Sequence, residues 1–426
     1  MSSEHPSFHE DFSHPVWGSL NWIIKQKSLQ KRWGYTADKD LGSGVEIQYV
    51  AKYDLKDGNS HTMVLTSTDL VRRETTGSNT LSYKTETGDY NSTIDNITGA
   101  VVTAKAGTTW STDGVAADDM FILDDDHSAL IEPDANWGTI QSVDSETQIT
   151  LTANYSGTTG TWTGSEKNAL IRKVYSSPTD ERWSWAVVDD KFCFTNGNSD
   201  VQYWDGGSGY AGALDSTNAK KARYCVEYAN RLVLADVEIS GVRDPLSFKW
   251  SDEGDPTAWT GSSSGSIQLL ESKDWITGLG KVGANIVIYK KDSYVMYHRT
   301  GDATDPFHRD IYRGGIGCVA PYSLVEFKGV NAFLWRDNFY VFDGSMHIPI
   351  GDKIKDKFFD LVGETEVERV FGFNNPITSE VLWRANTSEG AYWFVWNYGD
   401  LRDYPDGYWT VNDYADNIFC GGKGAI

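Results

Sequence analysis

The sequence predicts an all-β protein, a β-propeller-like repeat body carrying a small inserted β-sandwich or barrel domain. Three observations carry this prediction. Aromatic residues make up 13% of the 426 positions, with 17 Trp and 22 Tyr, a bias that suits pleated strands with cross-strand aromatic pairs. Gly, with 41 residues, joins Asn and Asp in punctuating the chain at short intervals, as tight hairpins require and helices avoid. Beyond residue 180, a unit of hydrophobic strand, turn and aromatic strand recurs five times.

In chain order, residues 1–19 read as an N-terminal arm that orders only on a partner, because His5, Pro6, His9, His14 and Pro15 follow no periodicity. Its three His read as solvated tail residues ahead of metal ligands. Residues 20–92 form a first propeller segment. There LNWIIKQKSLQKRWGYT (20–36) precedes two strand-like runs that flank the turn Lys56-Asp57-Gly58-Asn59.

Residues 93–175 change in texture to Thr, Ser, Gly and Asp with short alternating runs (AVVTAK, MFILDD, TQITLTANY, NALIRKVY). This is the inserted domain, with strands short and closely spaced as in a small sandwich or barrel. Asp118, Asp119, Asp124, Asp125 and Asp126 cluster within it, but lack the alternating spacing and glycine of a calcium loop. A solvated acidic turn is the preferred reading.

Residues 176–426 carry the remaining blades. The repeated units are KFCFTNGNSDVQYWDGG (191–207), RLVLAD with PLSFKWSDEGD (231–255), NIVIYKKDSYVMYHRTGD (285–302), NAFLWRDNFYVFDGS (331–345) and EVLWRANTSEGAYWFVWNYGD (380–400). Aligning Phe192, Leu232, Ile286, Ala332 and Val381 gives spacings of 40, 54, 46 and 49 residues, the range of four-stranded blades. Residues 20–76 supply a further blade, for five or six in all. One hairpin cannot bury both faces, so the units must close into a ring or stack as a linear array, with segment 20–36 available to complete the last blade. One amphipathic helix is expected at 351–364, with Ile354, Phe358 and Leu361 on one face.

The formal charge of −22 and pI near 4.7 argue against a protein that reads nucleic-acid sequence, since phosphate contacts depend on Lys and Arg. They are compatible with DNA sliding past a wall of like charge. Cys193, Cys225, Cys318 and Cys420 are scattered without CxxC spacing, so buried free thiols are expected, not a zinc site or a disulfide framework. The N-terminus shows no apolar signal region, and no run of 18 apolar residues follows, so neither an export signal nor a membrane span is expected.

The order of these motifs resembles the tail hub, nozzle or DNA-stabilisation proteins of short-tailed bacteriophages. KSLQKRWGYT (27–36) is similar to an LxxRPGY opening, with Trp33 where Pro is common. TQITLTANYSGTTG (147–160) resembles a β module of tail proteins. The most specific segment is RYCVEYANRLVLAD…RDPLSFKWSDEGDPTAWT (223–260), carrying RLxxA…SxxGDPxxW. Residues 283–302, 312–344 and 350–360 follow in the family's order. The resemblance implies a virion tail protein made in the host cytoplasm that assembles as a ring of six on the portal and adaptor. Such a ring extends the DNA channel, retains the genome, permits its ejection and receives fibres or spikes. Aromatic residues would supply its subunit contacts, and segments 300–310 and 378–391 would project as gates or docking loops.

Other functions find less support. SDEGDPTAW (251–259) superficially resembles the Asp-box turn of sialidases, but Glu253 and Asp255 stand where that box has Asp and Gly, and it does not repeat. No HExxH is present, no Walker or GxGxxG arrangement sits between a strand and a helix, and His298 and His308 read as loop or interface residues. No catalytic, cofactor-binding or metal residue is therefore assigned, and a non-enzymatic role is expected. The rival reading is a receptor- or carbohydrate-binding tail protein, with exposed aromatics stacking on sugars.

Overall fold

A computed structural model describes residues 22–25, 28–31 and 47–412, apart from 74–80, 84–86, 113, 127–135, 163, 165–166, 176, 178–180, 208–209, 216, 388–389 and 400–406. The N-terminal arm, residues 413–426 and Cys420 lie outside the described residues.

Six four-stranded antiparallel sheets follow one another along the chain, each a simple meander. They are the blades of a six-bladed β-propeller. Their first strands, Ile47–Asp54, Ser184–Val188, Ala222–Tyr228, Ile276–Val282, Val325–Phe327 and Phe371–Asn375, surround the axis. The five aligned repeat residues all fall on second strands, so the hairpin recognised in the sequence is that of strands two and three. Blade 1 is built from residues 47–83, with Ile47–Asp54 and Ser60–Thr66 joined by the expected turn at 56–59.

Tight turns explain why first and second strands stay in register. Asp189-Asp190 and Ala229-Asn230 take positive φ, and Lys328-Gly329 does the same, closing two-residue hairpins of the twist strands prefer. These turns mark the downstream face, where the first strands end. Each of blades 1 to 5 grips the next there. The Lys56 amide donates to Asp190 Oδ1 at 2.9 Å, Lys191 lies 4.0 Å from Asp255, and the Tyr228 hydroxyl donates to the Ala284 carbonyl at 2.8 Å. The Gly283 amide donates to the Gly329 carbonyl at 3.0 Å, and Lys328 Nζ sits 4.7 Å from the Tyr398 ring.

Hydrophobic residues fill the wedges between blades. Tyr53, Leu65, Trp183, Phe192 and Trp204 pack between blades 1 and 2, and Phe339, Phe358, Trp383 and Trp409 between blades 5 and 6. The outer faces of this series, toward the seam of the ring, bury Val64 and Val71 on blade 1 and Leu382 and Trp393 on blade 6. Every blade is complete in itself. The N-terminal hairpin, Trp22–Lys25 with Ser28–Lys31, lies beside the last strand without pairing to it, so among the described residues of 20–36 the expected completion of the last blade does not occur.

The insertion is a closed six-stranded barrel in the order Thr87–Thr98, Lys167–Arg172, Met120–Leu123, Gly138–Ser145, Gln148–Leu151 and Val101–Ala104, returning to the first strand. It has its own core of Ile94, Val102, Trp110, Phe121, Ile140 and Ile149. Because it interrupts the connection from the outer strand of blade 1 to the inner strand of blade 2, it leaves from the upstream face. There Arg172 lies 3.7 Å from Asp69 in a blade 1 turn, and the Tyr175 amide donates to the Thr68 carbonyl at 2.9 Å.

The expected helix is present as Lys355–Leu361, followed by a second short helix Glu364–Val367; Ile354 and Phe358 are buried against blades 5 and 6, and Leu361 is buried as well. Segment 378–391, expected as a projecting loop, is mainly strand: Glu380–Thr387 is the second strand of blade 6. In 300–310, residues 301–306 turn and Phe307–Gly314 forms the outer strand of blade 4. Among the described residues, no helix is long and apolar enough to cross a membrane.

Candidate functional site: an axial cavity under a polar plug

The first strands converge on the axis, which leaves little room there for side chains. A Cβ on Gly280 would come within 2.3 Å of Asn331 Nδ2, and one on Gly372 within 2.6 Å of Trp383 Cδ1. Between the six strands lies a cavity of about 540 Å³, with every blade contributing to its wall. Gln48 and Tyr49 come from blade 1, Arg182 and Trp185 from blade 2, Tyr224 from blade 3, Leu279 from blade 4, Tyr322 and Glu326 from blade 5, and Phe371 and Asn374 from blade 6.

The upstream end of this cavity is crossed by a polar network. Glu181 Oε2 accepts from the Tyr322 hydroxyl at 2.8 Å and lies 2.8 Å from Arg223 Nε. Arg182 places its guanidinium carbon 3.6 Å from the Phe371 ring centre and donates to the Gln48 carbonyl at 3.4 Å. Blades 1, 2, 3, 5 and 6 are thus joined through three charged residues and two aromatic ones.

Electrostatics keep the plug in one protonation state. Burial pushes the Tyr322 phenol up to about 12, against the opposing influence of Arg223. Burial also disfavours the Arg223 charge, but the influence of Tyr224, Tyr322 and Glu181 outweighs it and raises its pKa; with both phenols protonated at neutral pH, the Glu181 carboxylate is its counter-charge. A phenol that keeps its proton, beside a carboxylate already bridged to arginine, is a fixed strut and supplies no activated nucleophile at neutral pH.

The residues weighed in the sequence lie elsewhere. His298 and His308 sit on the two outer strands of blade 4 with ring centres 5.3 Å apart, and His298 Nδ1 is 2.6 Å from Asp310 Oδ1. Glu253 pairs with Arg231 at 3.3 Å. Asp255 accepts from the Thr257 amide and hydroxyl at 2.9 and 2.6 Å, bonds that lower its pKa. Both belong to the turn after the third strand of blade 3, on the downstream face.

The acidic cluster of the barrel ties its loops. Asp119 accepts from the Ala116 amide at 3.0 Å and lies 3.2 Å from Lys173, while Asp126 accepts from the Thr158 amide and hydroxyl at 2.7 and 2.6 Å. Asp125 pairs with Lys167. Among the described residues, no group of three or more His, Cys, Asp or Glu side chains is placed to hold a metal ion. Cys193, Cys225 and Cys318 are buried free thiols, with pKa raised by burial in each case.

No family model matches this chain, and no curated protein matches it. Among solved structures, it is similar to the extracellular domain of a putative hybrid two-component system from B. thetaiotaomicron, with TM-score 0.31, 11% identity, 88% of this chain covered and 39% of that one. It is also similar to BamB from Moraxella catarrhalis, with TM-score 0.28, 9% identity, 71% of this chain covered and 85% of that one. A third is the endosialidase of phage phi92, with TM-score 0.26, 10% identity, 89% of this chain covered and 60% of that one.

Proposed function

We propose that the chain is a structural subunit of a short-tailed phage tail, a hub or nozzle protein that forms a ring of six around the DNA path below portal and adaptor. In this role it retains the genome until ejection and offers attachment points to fibres or spikes. The carrying observation is the match between motif order and architecture. Residues 223–260 cover the first three strands of blade 3 and its downstream turn, 283–302 the central hairpin of blade 4, and 312–344 the first three strands of blade 5. Residues 350–360 lead into the helix between blades 5 and 6.

Two physical features bear on the contacts such a ring uses. Most large aromatics are consumed within and between blades, and the exposed ones among the described residues are Tyr210, Trp275 and Tyr312. Lateral contacts therefore draw on this small set together with exposed aliphatics such as Val242, Leu270 and Ile377, each more than two-thirds exposed. The net charge of −22 gives the DNA path a repulsive wall.

The test is native mass spectrometry and electron microscopy of the protein alone and mixed with portal and adaptor proteins. A ring with a central opening, alone or on the adaptor, is expected. A chain that stays monomeric with those partners overturns the proposal, and glycan-array binding by that monomer would favour a receptor-binding tail protein instead.

A further inference from the structure

Each blade ends in an outer strand whose far edge carries unpaired backbone groups, and such an edge invites pairing with another strand unless it is short, interrupted by Pro or covered. Five of the six blades are blunted in these ways. Among the described residues, their outer strands are Gly212–Ala213 with two residues, Leu81–Tyr83 with three, His347–Pro349 with three including a Pro, Gly265–Gln268 with four, and Tyr408–Asn412 with five that are all buried. Blade 4 differs. Its outer strand, Phe307–Gly314, has eight residues and no Pro, pairs on one side only, with Ser293–Arg299, and is exposed at every position from 308 to 314.

The side chains of this edge run against the charge of the chain. In a protein of net charge −22 it presents His308, Arg309 and Arg313, with Arg299 at the end of the neighbouring strand. Its one acid, Asp310, is taken by His298 at 2.6 Å, and Arg309 pairs with Glu271, while among the described residues neither Arg299 nor Arg313 has an ion-pair partner. The register sorts the strand into two faces. His308, Ile311 and Arg313 stand opposite His298, Met296 and Tyr294 on the blade 5 side, and Arg309 and Tyr312 opposite Tyr297 and Val295 on the blade 3 side. Each face therefore offers an arginine and an exposed apolar residue, Ile311 or Tyr312. Two copies of the strand joined antiparallel about Asp310 or Ile311 would set Asp310 against Asp310, or Arg309 against Arg313, and like charges directly opposite are destabilising. The edge is thus poorly matched to itself and well matched to an acidic strand.

We propose that the edge of blade 4 takes up an extended acidic segment of another protein as a further strand of this sheet. The free backbone groups of 308–314 hold the segment, its carboxylates lie beside Arg313 on one face and beside Arg299 and Arg309 on the other, and its apolar residues lie beside Ile311 and Tyr312. The site lies within one chain, so it does not rest on ring assembly.

The experiment is a fluorescence-polarisation titration of the full chain with a labelled peptide, Thr-Glu-Val-Val-Thr-Glu-Glu-Thr, and with its counterpart carrying Lys in place of Glu. Two further peptides are N-methylated at alternate residues, one along each edge. Saturable binding of the acidic peptide is expected, weakening as salt is added, with the Lys peptide not binding. One N-methylated set should abolish binding and the other keep it, because only one edge of the added strand faces the sheet. Arg313→Ala, at an exposed position, should keep its melting temperature and weaken binding about fivefold. No saturable binding of the acidic peptide, or equal binding of the Lys peptide, would overturn the proposal. Binding that survives both N-methylated sets would show charge attraction without strand pairing, and would overturn it too. So would self-association of the chain that Ile311→Lys abolishes, since a second copy would then be the occupant.

Discussion

The Tyr322 hydroxyl donates a 2.8 Å hydrogen bond to Glu181 across the propeller axis, joining blade 5 to blade 2, two residues 141 positions apart in the chain. The same carboxylate holds Arg223 of blade 3, so the two bonds form one network. Tyr322→Phe removes the phenol, which donates to Glu181 and also meets Arg223 and the Arg182 backbone, and a loss of about 1.5–3 kcal/mol is expected in urea denaturation. Glu181→Gln removes the charge that balances Arg223, and its loss is expected to exceed that of Tyr322→Phe. The double variant should fall short of the sum of the two single losses, because both act on one carboxylate. Strict additivity would show that the plug is not a coupled unit.

The barrel begins and ends on neighbouring strands, with Thr87 directly opposite Arg172 in the ladder. Residues that face each other in this way have Cα atoms about 4.5–5.5 Å apart, so a short Gly-Ser linker can replace the whole insertion. The barrel core is also separate from the blade cores. The shortened protein is therefore expected to remain folded, with a slightly lower melting temperature from loss of the Arg172–Asp69 pair. The parent should show two calorimetric transitions and the shortened chain one. Aggregation of the shortened chain would mean that the propeller depends on the barrel.

His347 stacks on Phe342 with ring centres 4.5 Å apart and planes at 10°, and Tyr294 meets its edge at 5.2 Å. Burial first, then Arg313, lowers its pKa to about 4, against the opposing influence of Asp343. In the unfolded chain the value returns to about 6.5. Between these values the unfolded state binds a proton that the folded state does not, so this residue makes stability fall as pH drops from about 6.5 toward about 4. His347→Phe retains the stack and removes the titration. The parent should lose about 2 kcal/mol more than the variant between neutral and acid pH, a figure discounted for partial solvent access. Parallel pH profiles for the two proteins would show that the imidazole is protonated freely in the folded state.

How far the sequence reveals the fold depends on which strand of a blade is considered. Second and third strands are hydrophobic and aromatic on both faces, as in Phe192-Cys193-Phe194 and Trp393-Phe394-Val395, so they stand out as repeats. Outer strands are short or solvent-exposed, Gly212–Ala213 having two residues and Phe307–Gly314 being exposed along almost its whole length. They carry little hydrophobic pattern. First strands mix apolar residues with polar ones that face the axis, such as Gln48, Ser184 and Asn374, which blurs their alternation. The strand Glu380–Thr387 was legible as part of a repeat, yet its Asn and Thr residues also suggest a loop.

The plug was not legible in the sequence. Glu181 and Arg182 precede the first strand of blade 2, and Tyr322 lies in a short 3₁₀ turn before that of blade 5, where nothing in the local pattern signals a partner across the ring. Only closure of six blades makes them neighbours. The acidic run at 124–126 shows the reverse case, a conspicuous sequence feature whose structural work is to hold Lys167, Tyr155 and Thr158.

A propeller whose axis is crossed by Arg182, Glu181 and Tyr322 cannot be threaded. No polymer passes lengthwise through one copy, however many blades it has, so each copy acts as a solid wedge. In any annular assembly of such wedges the bore lies between copies, and its diameter follows from how many wedges are used and how steeply they lean. Residues that control passage are then to be sought on the outer rims of blades and on the barrel, and widening the inside of the propeller would leave the bore unchanged.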